Sequence, residues 1–440
     1  MRCCPSSLTP APALEDENIL HEILLRLPPQ PSSLPRASLV CKLWRSILSD
    51  TQFLKRFREH HREPPLLGFF TGHIGVEPVF TSVLDSPDRI PPARFSLPQS
   101  HRPSHHWLFM GCRHGLAVLI NEYEHVVVVW DPLTGQKHRV PFPRGLCNNE
   151  RGSGWRWHAA VMCAAAEDGH VHGDCFWSPF KLVLACGGYS QAFACLYESI
   201  SGVWGNIVST ATTPVIHPLR PSVLIGNELY WLFSDGGILA FNIESQTFGV
   251  IERPETTHRT GCWSCQPLRT DDGLGLAVMS KQRIQFWERK SNYNGVVGWV
   301  LMQKSIRLEG MFPQKMPRDD KWVLLVGYDE DTNVIVLSTG MGKFMLQLDS
   351  LQIKKISGKN DSENRFMEFY PYTNFYTAGR AIAGGDDRAE NVNKYLDLTV
   401  HQDTKMALCC RFFRFCTLLL LMWPTLKLML YVGSRFFRLA

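Results

Sequence analysis

The sequence lacks the short motifs by which the common catalytic sites are recognised. It contains no GxSxG, HExxH, Walker-type phosphate loop or dinucleotide-binding glycine pattern. It also lacks a basic body: the net charge of +5 includes six basic residues and no acid in residues 405–440, which leaves −1 for the rest. We therefore predict that the protein is not an enzyme and does not bind nucleic acid.

A secretory signal is not recognisable either, and the 14 cysteines are scattered along the chain. This pattern is typical of a reducing compartment, so we expect a cytoplasmic and/or nuclear protein. Cys262 and Cys265 form a lone CxxC, with no second pair at metal-ligand spacing. His170, His172 and Cys175 lie close together in the sequence, but no fourth ligand is evident beside them. We predict that neither group binds a metal and that the protein needs no cofactor.

Residues 14–61 have apolar residues at helical spacing and form the first predicted domain. Prolines from Pro28 onward end the first helix, because proline lacks the amide donor. A second helix is predicted from about Leu34 to Leu48, and a third after a capping box at residues 49–52. Since three helices of this size bury little surface, a partner is expected to cover them. The first helix carries its apolar residues on one face: Ile19, Leu20, Ile23, Leu24 and Leu27.

This stretch resembles an F-box, the segment that binds the Skp-type adaptor of cullin–RING ubiquitin ligases. The resemblance rests on the leading Leu14, on the Ile-Leu of HEILLRLP and on VCKLW at residues 40–44. Members of the family commonly have proline after the first leucine, whereas this chain has Glu15. The residues implied for the adaptor face or its supporting core are Leu14, Ile19, Ile23, Leu24, Leu27, Pro28, Leu34, Val40, Cys41 and Trp44.

Residues 65–378 consist of short runs of β-branched and aromatic residues, broken by Gly, Asp, Asn and Pro, which predict strands and turns. A weak repeat of strand, polar turn and strand occurs in residues 129–136, 196–204, 241–248, 286–299 and 346–353. Its spacing suits the four-stranded blades of a propeller, with a stacked β-sandwich pair as the alternative. The predicted fold is thus an α+β multidomain chain, a three-helix F-box followed by an all-β, β-propeller-like domain.

Residues 157–206, 222–254 and 371–377 are similar to the domain that follows the F-box in many plant proteins, especially those of grasses. His172 and Cys175 match a recurrent His-x-x-Cys segment of that group. The resemblance covers residues 14–378 and implies a substrate-recognition subunit of an SCF-type (Skp–cullin–F-box) ubiquitin ligase. The F-box would dock on the adaptor and the β-domain would bind a protein target, with catalysis in other subunits.

Two features of the β-region are open to more than one interpretation. Tryptophans and a histidine near strand ends are predicted to be core anchors rather than target contacts, so the target-binding residues stay unassigned. The acidic run at residues 329–331 is predicted to be a solvated hairpin tip. The aromatic residues concerned are Trp155, Trp157, His158, Trp263 and Trp322.

The ends of the chain have a different composition. Residues 1–13 are predicted to be disordered and residues 379–405 to be a linker. Residues 406–440 form a hydrophobic basic tail with RFFR at each end, which suggests membrane association. Pro424 and Lys427 interrupt the apolar run, so an unselected extension is the other interpretation. The tail and Glu15 motivate an alternative function, a non-ligase β-propeller scaffold or membrane-tethered interaction protein with a vestigial F-box.

Overall fold

The computed structural model describes residues 17–376, apart from 74–75, 96, 98–106, 147–154, 166–169, 174, 189, 213, 258–260, 292–293, 314–321 and 357–366. Leu14, residues 1–13, the predicted linker and the predicted tail lie outside this part of the chain. The described chain begins with four short helices. They are α1 (Glu17–Leu25), α2 (Ser33–Ala37), α3 (Lys42–Ser49) and α4 (Thr51–His61).

The helices pack around a small apolar core. The predicted second helix is interrupted, because Cys41 adopts an extended backbone with φ of −160°. The predicted capping box is also wrong, since Asp50 rather than Ser49 caps α4 by accepting a hydrogen bond from the Phe53 amide at 2.9 Å. The buried side chains of this core are Leu20, Leu24, Leu25, Leu34, Ala37, Ile47, Leu48, Phe53, Phe57 and Phe375, the last from the far end of the chain.

The strands that follow the helices form six antiparallel sheets in the described part of the chain, and these sheets are the blades of a propeller. Blade 1 joins β1 (Leu66–His73) and β2 (Val76–Ser82) to β24 (Glu368–Thr373). Blade 2 contains β3 (Leu108–Arg113), β4 (Leu116–Asn121), β5 (Val126–Trp130) and β6 (Lys137–Pro141). Blade 3 contains β7 (Arg156–Cys163), β8 (Phe180–Gly187), β9 (Gln191–Glu198), β10 (Val203–Trp204) and β11 (Val208–Ala211).

The other three blades have four strands each. Blade 4 contains β12 (Val223–Ile225), β13 (Glu228–Leu232), β14 (Ile238–Asn242) and β15 (Thr247–Ile251). Blade 5 contains β16 (Cys265–Thr270), β17 (Gly273–Ser280), β18 (Arg283–Ser291) and β19 (Val297–Arg307). Blade 6 contains β20 (Val323–Asp329), β21 (Val334–Thr339), β22 (Gly342–Gln347) and β23 (Ile353–Ile356). The predicted propeller is confirmed.

An apolar core fills each space between successive blades, and the sixth core joins blade 6 back to blade 1. A middle strand therefore buries both of its faces, which explains the uninterrupted VVVVW of β5: Val127 and Val129 face blade 3, whereas Val126 and Val128 face blade 1. Ring closure relies on β24, which pairs with β1 and brings the two ends of the domain into one sheet. Closure also packs blade 6 against blade 1, so neither end of the row of blades leaves an apolar face exposed.

The innermost strands of the blades are β3, β7, β12, β16, β20 and β24. Since successive blades are related by rotation about one axis, these strands all begin on one side of the ring, the entry face, and end on the other, the exit face. Near the entry face, Arg220 Nε lies 3.0 Å from Glu368 Oε1, and both side chains are fully buried. Near the exit face, Arg113 pairs with Glu330 and donates to the Ser222 carbonyl at 2.9 Å. Two ion pairs thus link blades across the centre of the ring.

Candidate functional site

Helix α1 separates its apolar residues into a buried and an exposed row. Leu20 and Leu24 are completely buried, whereas Ile19 and Ile23 are 43% and 41% exposed. The exposed pair is one helical turn apart, so both side chains lie on the same side of α1. The apolar face predicted from the sequence therefore contains both rows, but the domain core covers only the row with Leu20 and Leu24.

A second set of exposed apolar residues surrounds the break between α2 and α3. Leu39 is 75% exposed, Val40 62% and Leu43 42%. The break causes this exposure, because the extended Cys41 prevents residues 39–40 from continuing the helical stripe into the core. Large apolar side chains in water are costly, and several in one small domain indicate a surface that binds a partner. Leu39 and Leu43 were not among the predicted site residues.

The predicted site residues divide into surface and core. Pro28 and Cys41 are exposed, as are Ile19, Ile23 and Val40, whereas Leu27 and Trp44 are half-buried. Leu24 and Leu34 are buried in the domain core, so they support the surface and do not form it. Periodicity alone could not separate these groups, because it identifies an apolar stripe and not the part of it that a partner covers.

Contacts with blades 1 and 3 hold the helical domain on the exit face. The ring of Phe57 in α4 meets Phe375, which follows β24, with centroids 6.4 Å apart. The Ser32 amide donates to Asp88 at 2.9 Å. Val171, in the connection after β7, also packs against the helical core. The helices and the propeller therefore share a packed junction.

The aromatic residues predicted to be core anchors are indeed largely enclosed. Trp155 and Trp157 pack against the core between blades 2 and 3. Trp263 lies between the Arg220 guanidinium, 5.3 Å from its ring, and the His217 ring at 4.8 Å. Trp322 is half-buried, and burial lowers the pKa of the enclosed His158 to about 3. Trp177, which sequence patterns did not single out, is 74% exposed.

The acidic run at residues 329–331 lies at a hairpin tip as predicted, but of its three side chains only that of Asp331 is exposed to solvent. Asp329 is 2% exposed, and burial, together with the charge of Asp331, raises the pKa of its carboxyl to about 7. Glu330 pairs with Arg113 and accepts a hydrogen bond from the Leu224 amide at 2.7 Å. The turn therefore crosses the exit side of the ring, where it binds groups from other blades.

The structure also changes the prediction for the histidine-rich connection. His170, His172 and Cys175 lie beside Cys163, which the sequence pattern did not connect with them. The interaction between the two thiols lowers the pKa of Cys163 and raises that of Cys175. The absence of metal was predicted because the sequence showed no fourth ligand beside these three residues. Cys163 is a fourth candidate ligand, so that reason no longer holds.

The other cysteine motif has a different setting. Cys262 and Cys265 flank a short turn that leads into β16, and neither is disulfide-bonded. Within the described residues, the only group with metal-binding geometry is the one containing Cys163. None of the described helices is long and apolar enough to cross a membrane, and the predicted membrane-associated tail lies outside the described residues.

Comparison with known families assigns this architecture. Residues 108–378, more than half of the chain, match the family model described as "F-box protein AT5G49610-like, beta-propeller". The chain belongs to this family. Residues 16–56 match the F-box domain. The helical domain is thus the F-box of an F-box propeller protein, and the resemblance stated from the sequence is confirmed. This combination of domains is that of an F-box protein of the substrate-receptor type.

Individual relatives are distant. The chain is 24% identical over 248 residues to "Putative F-box protein At3g16210" of Arabidopsis thaliana, a match that covers 54% of this chain. The chain spans 60% of that relative's length. Among solved structures, a streptogramin B lyase matches with a TM-score of 0.33 and 10% identity over 68% of this chain and 85% of its own. A protein of unknown function from Desulfotomaculum acetoxidans matches with a TM-score of 0.34 and 9% identity, over 70% of this chain and 100% of its own.

Proposed function

We propose that this F-box propeller protein is the substrate-recognition subunit of an SCF-type ubiquitin ligase. The observation that carries the proposal is the set of five exposed apolar residues on a domain that matches the F-box: Ile19, Ile23, Leu39, Val40 and Leu43. F-box domains generally bind Skp-type adaptors of cullin–RING ligases. An adaptor that covers these residues would remove their apolar surface from water, which favours binding.

The F-box supplies a fixed platform for such a partner. Its exposed residues lie on α1 and around the start of α3, and the inner faces of these helices pack into the same core as the Phe57–Phe375 contact. A preorganised surface loses little conformational entropy on binding. The packed junction would also hold a target on the propeller at a defined distance from the adaptor.

We propose the entry face of the propeller as the target-binding face. The F-box contacts through Phe375, Val171 and Asp88 all belong to the exit side, because Phe375 follows the end of β24 and Val171 follows the end of β7. An F-box on that side leaves the opposite face for a protein target. Ubiquitin transfer would be catalysed by other subunits, so the chain itself acts as a non-catalytic receptor in the cytoplasm or nucleus.

Co-purification with a Skp-type adaptor tests the proposal. Full-length protein is compared with an Ile23→Glu, Val40→Glu variant, whose two side chains are exposed, so that the substitutions leave the F-box core intact. The matched control is Val250→Glu, which adds a charge at a 48% exposed position of blade 4. We expect the wild type and the control to retain the adaptor and the double variant to lose it.

Two results would count against this role. Retention of the adaptor by the double variant would place docking on another surface. Absence of adaptor from all three preparations would favour a scaffold with a vestigial F-box. Circular dichroism of each preparation, with thermal unfolding, establishes that the variants are folded.

A further inference from the structure

Four side chains of the types that ligate metals converge beside the inner strand of blade 3. Cys163 is the last residue of β7, His170 and His172 lie in the connection to β8, and Cys175 begins the short turn before β8. Each side chain offers one ligand atom, and the four atoms all lie within 4.8 Å of one another. Two thiols and two imidazoles are the donor set of Cys2His2 structural zinc sites.

The separations of these atoms match a tetrahedral site. The Cys163 sulfur lies 3.3 Å from His170 Nε2. The Cys175 sulfur lies 3.5 Å from both His170 Nε2 and His172 Nδ1. In a tetrahedral zinc site, Zn–S bonds of about 2.3 Å and Zn–N bonds of about 2.0 Å put neighbouring sulfur and nitrogen atoms about 3.5 Å apart. These three sulfur–nitrogen separations therefore already have the spacing that zinc requires, and the other pairs of ligand atoms lie within 4.8 Å.

A further histidine positions two of the four residues. The ring of His114, in the turn between β3 and β4, stacks on the ring of His172 with centroids 3.5 Å apart and an interplanar angle of 9°. Its Nδ1 accepts a hydrogen bond from the Cys163 backbone amide at 3.0 Å. Groups behind the ligands that fix their orientation are a regular part of metal sites. Blade 2 thus helps to hold the ligands of blade 3.

The cluster lies at the junction with the F-box. Val171, between the two histidine ligands, packs against the F-box core together with Phe375. Gly173 has a φ of +121°, and a Cβ built there would lie 2.7 Å from the Phe375 ring, so only glycine fits this bend without displacement. The connection that carries the ligands is the same one that supports the helices.

We propose that Cys163, His170, His172 and Cys175 bind one Zn²⁺ ion, which fastens this connection against the F-box. Four protein ligands leave no coordination position open for a substrate, so the ion has a structural role. Two thiolates and two neutral imidazoles balance the charge of the divalent ion. The ion would hold its four ligand residues in one arrangement and thereby fix the angle between the F-box and the propeller.

Metal analysis of the full-length protein tests the site. The protein is purified under reducing conditions without chelator, and its zinc content is measured by inductively coupled plasma mass spectrometry. We expect one equivalent of zinc that is lost from Cys163→Ser and Cys175→Ser. The matched control is Cys262→Ser, a half-buried cysteine outside the cluster, which retains the ion.

Cobalt(II) added to the stripped protein provides a second readout. A tetrahedral site with two thiolates gives strong visible d–d absorption and a sulfur-to-cobalt charge-transfer band. Cys163→His keeps four ligands, so we expect it to bind cobalt with a weaker charge-transfer band. Stripped wild type without a cobalt spectrum, zinc that survives both cysteine-to-serine changes, or a Cys163–Cys175 disulfide under reducing conditions would overturn the proposal.

Hydrogen exchange tests the proposed role of the ion. Removal of zinc is expected to accelerate amide exchange in residues 170–175 and in the last turn of α4, which includes Arg58. Blade 5, remote from the cluster, serves as the internal reference and is expected to keep its exchange rates. Unchanged exchange at the junction after complete zinc removal would overturn the fastening role.

Discussion

Phe57 of α4 and Phe375, which follows β24, meet edge to face with ring centroids 6.4 Å apart. Helix α4 belongs to the F-box, whereas Phe375 comes from the segment that closes the propeller. Both rings are 2% exposed and share one apolar core. The F-box is therefore completed by a residue more than 300 positions away along the chain. Folding of the two regions is expected to be linked through this contact.

Truncation of Phe375 measures that link. Phe375→Ala is expected to lower the free energy of unfolding by about 3–5 kcal/mol, because it removes a buried ring and leaves a cavity in the F-box core. Chemical denaturation followed by tryptophan fluorescence and by circular dichroism gives the value. Val250→Ala, at a position that is 48% exposed, is the control and should change little. A loss below the control value would show that the F-box core does not need Phe375.

Removal of one member of the Arg220–Glu368 pair is expected to destabilise the centre of the ring. Both side chains are at most 1% exposed, and Arg220 also donates to Gln266 at 2.6 Å. Glu368→Leu should cost about 3–5 kcal/mol, because the guanidinium stays buried without its counter-charge. Burial raises the pKa of Glu368 to about 7, although the nearby Arg220 lowers it. Unfolding is therefore measured at a pH well above 7, where Glu368 is ionised.

The Arg220→Met single variant and the Arg220→Met, Glu368→Leu double variant complete a mutant cycle. Apolar replacement of both members should recover much of the loss, since neither member then remains as a buried charge without its partner. Lys354 and Asp85 form an exposed pair at 2.6 Å, and Lys354→Met is the control with a much smaller expected effect. A double variant as unstable as the sum of the two single variants would indicate that the members do not interact.

Asp329 is expected to make stability pH-dependent. Burial and the charge of Asp331, with a smaller effect of Glu330, raise the pKa of Asp329 from 3.8 to about 7. Between these values the folded chain holds a proton that the unfolded chain has lost. Its contribution to stability is therefore complete below pH 3.8 and is lost as the pH rises towards 7, by at most about 1.4 kcal/mol per unit.

The Asp329→Asn variant isolates this contribution. Asparagine does not titrate, so its free energy of unfolding should fall less steeply than that of the wild type over the same pH range. The difference between the two proteins removes the titration of all other groups. Denaturant unfolding at several pH values provides the curves. Parallel curves for the wild type and the variant would contradict the raised pKa.

The cap of α4 can be tested with two neighbouring residues. Asp50→Ala removes the acceptor for the Phe53 amide and should cost about 0.5–2 kcal/mol. Ser49→Ala is the matched control, because Ser49 is the last residue of α3 and does not cap α4. Thermal unfolding of both variants separates them. Equal effects, or a larger loss at Ser49, would support the capping box predicted from the sequence.

The propeller could be predicted because one local pattern occurs in most blades. The five predicted repeats coincide with the turn from the third to the fourth strand, or from β9 to β10 in blade 3. Each of these turns contains a residue with positive φ, and glycine supplies it in three of the five: Gly135, Gly202 and Gly295. The number of blades was harder to predict, because blade 1 is completed only by the long-range pairing of β24 with β1.

The surface of the F-box was harder to predict than its helices. Helical spacing placed Ile19 and Leu20 on one apolar stripe, yet only Leu20 is buried, because packing against α4 covers half of the stripe. Cys163 was missed for a related reason. It ends a strand seven residues before His170, and only the fold of the connection brings the two side chains to 3.3 Å. The buried Asp329 likewise depends on contacts with other blades.

Hydrogen exchange of the full-length protein with and without a purified Skp-type adaptor tests the proposed docking surface most directly. We expect added protection in two segments, residues 19–25 of α1 and residues 39–45 around the break before α3, where the exposed apolar residues lie. The blades should exchange as in the free protein. Protection confined to the propeller, or none at saturating adaptor, would contradict docking through the F-box.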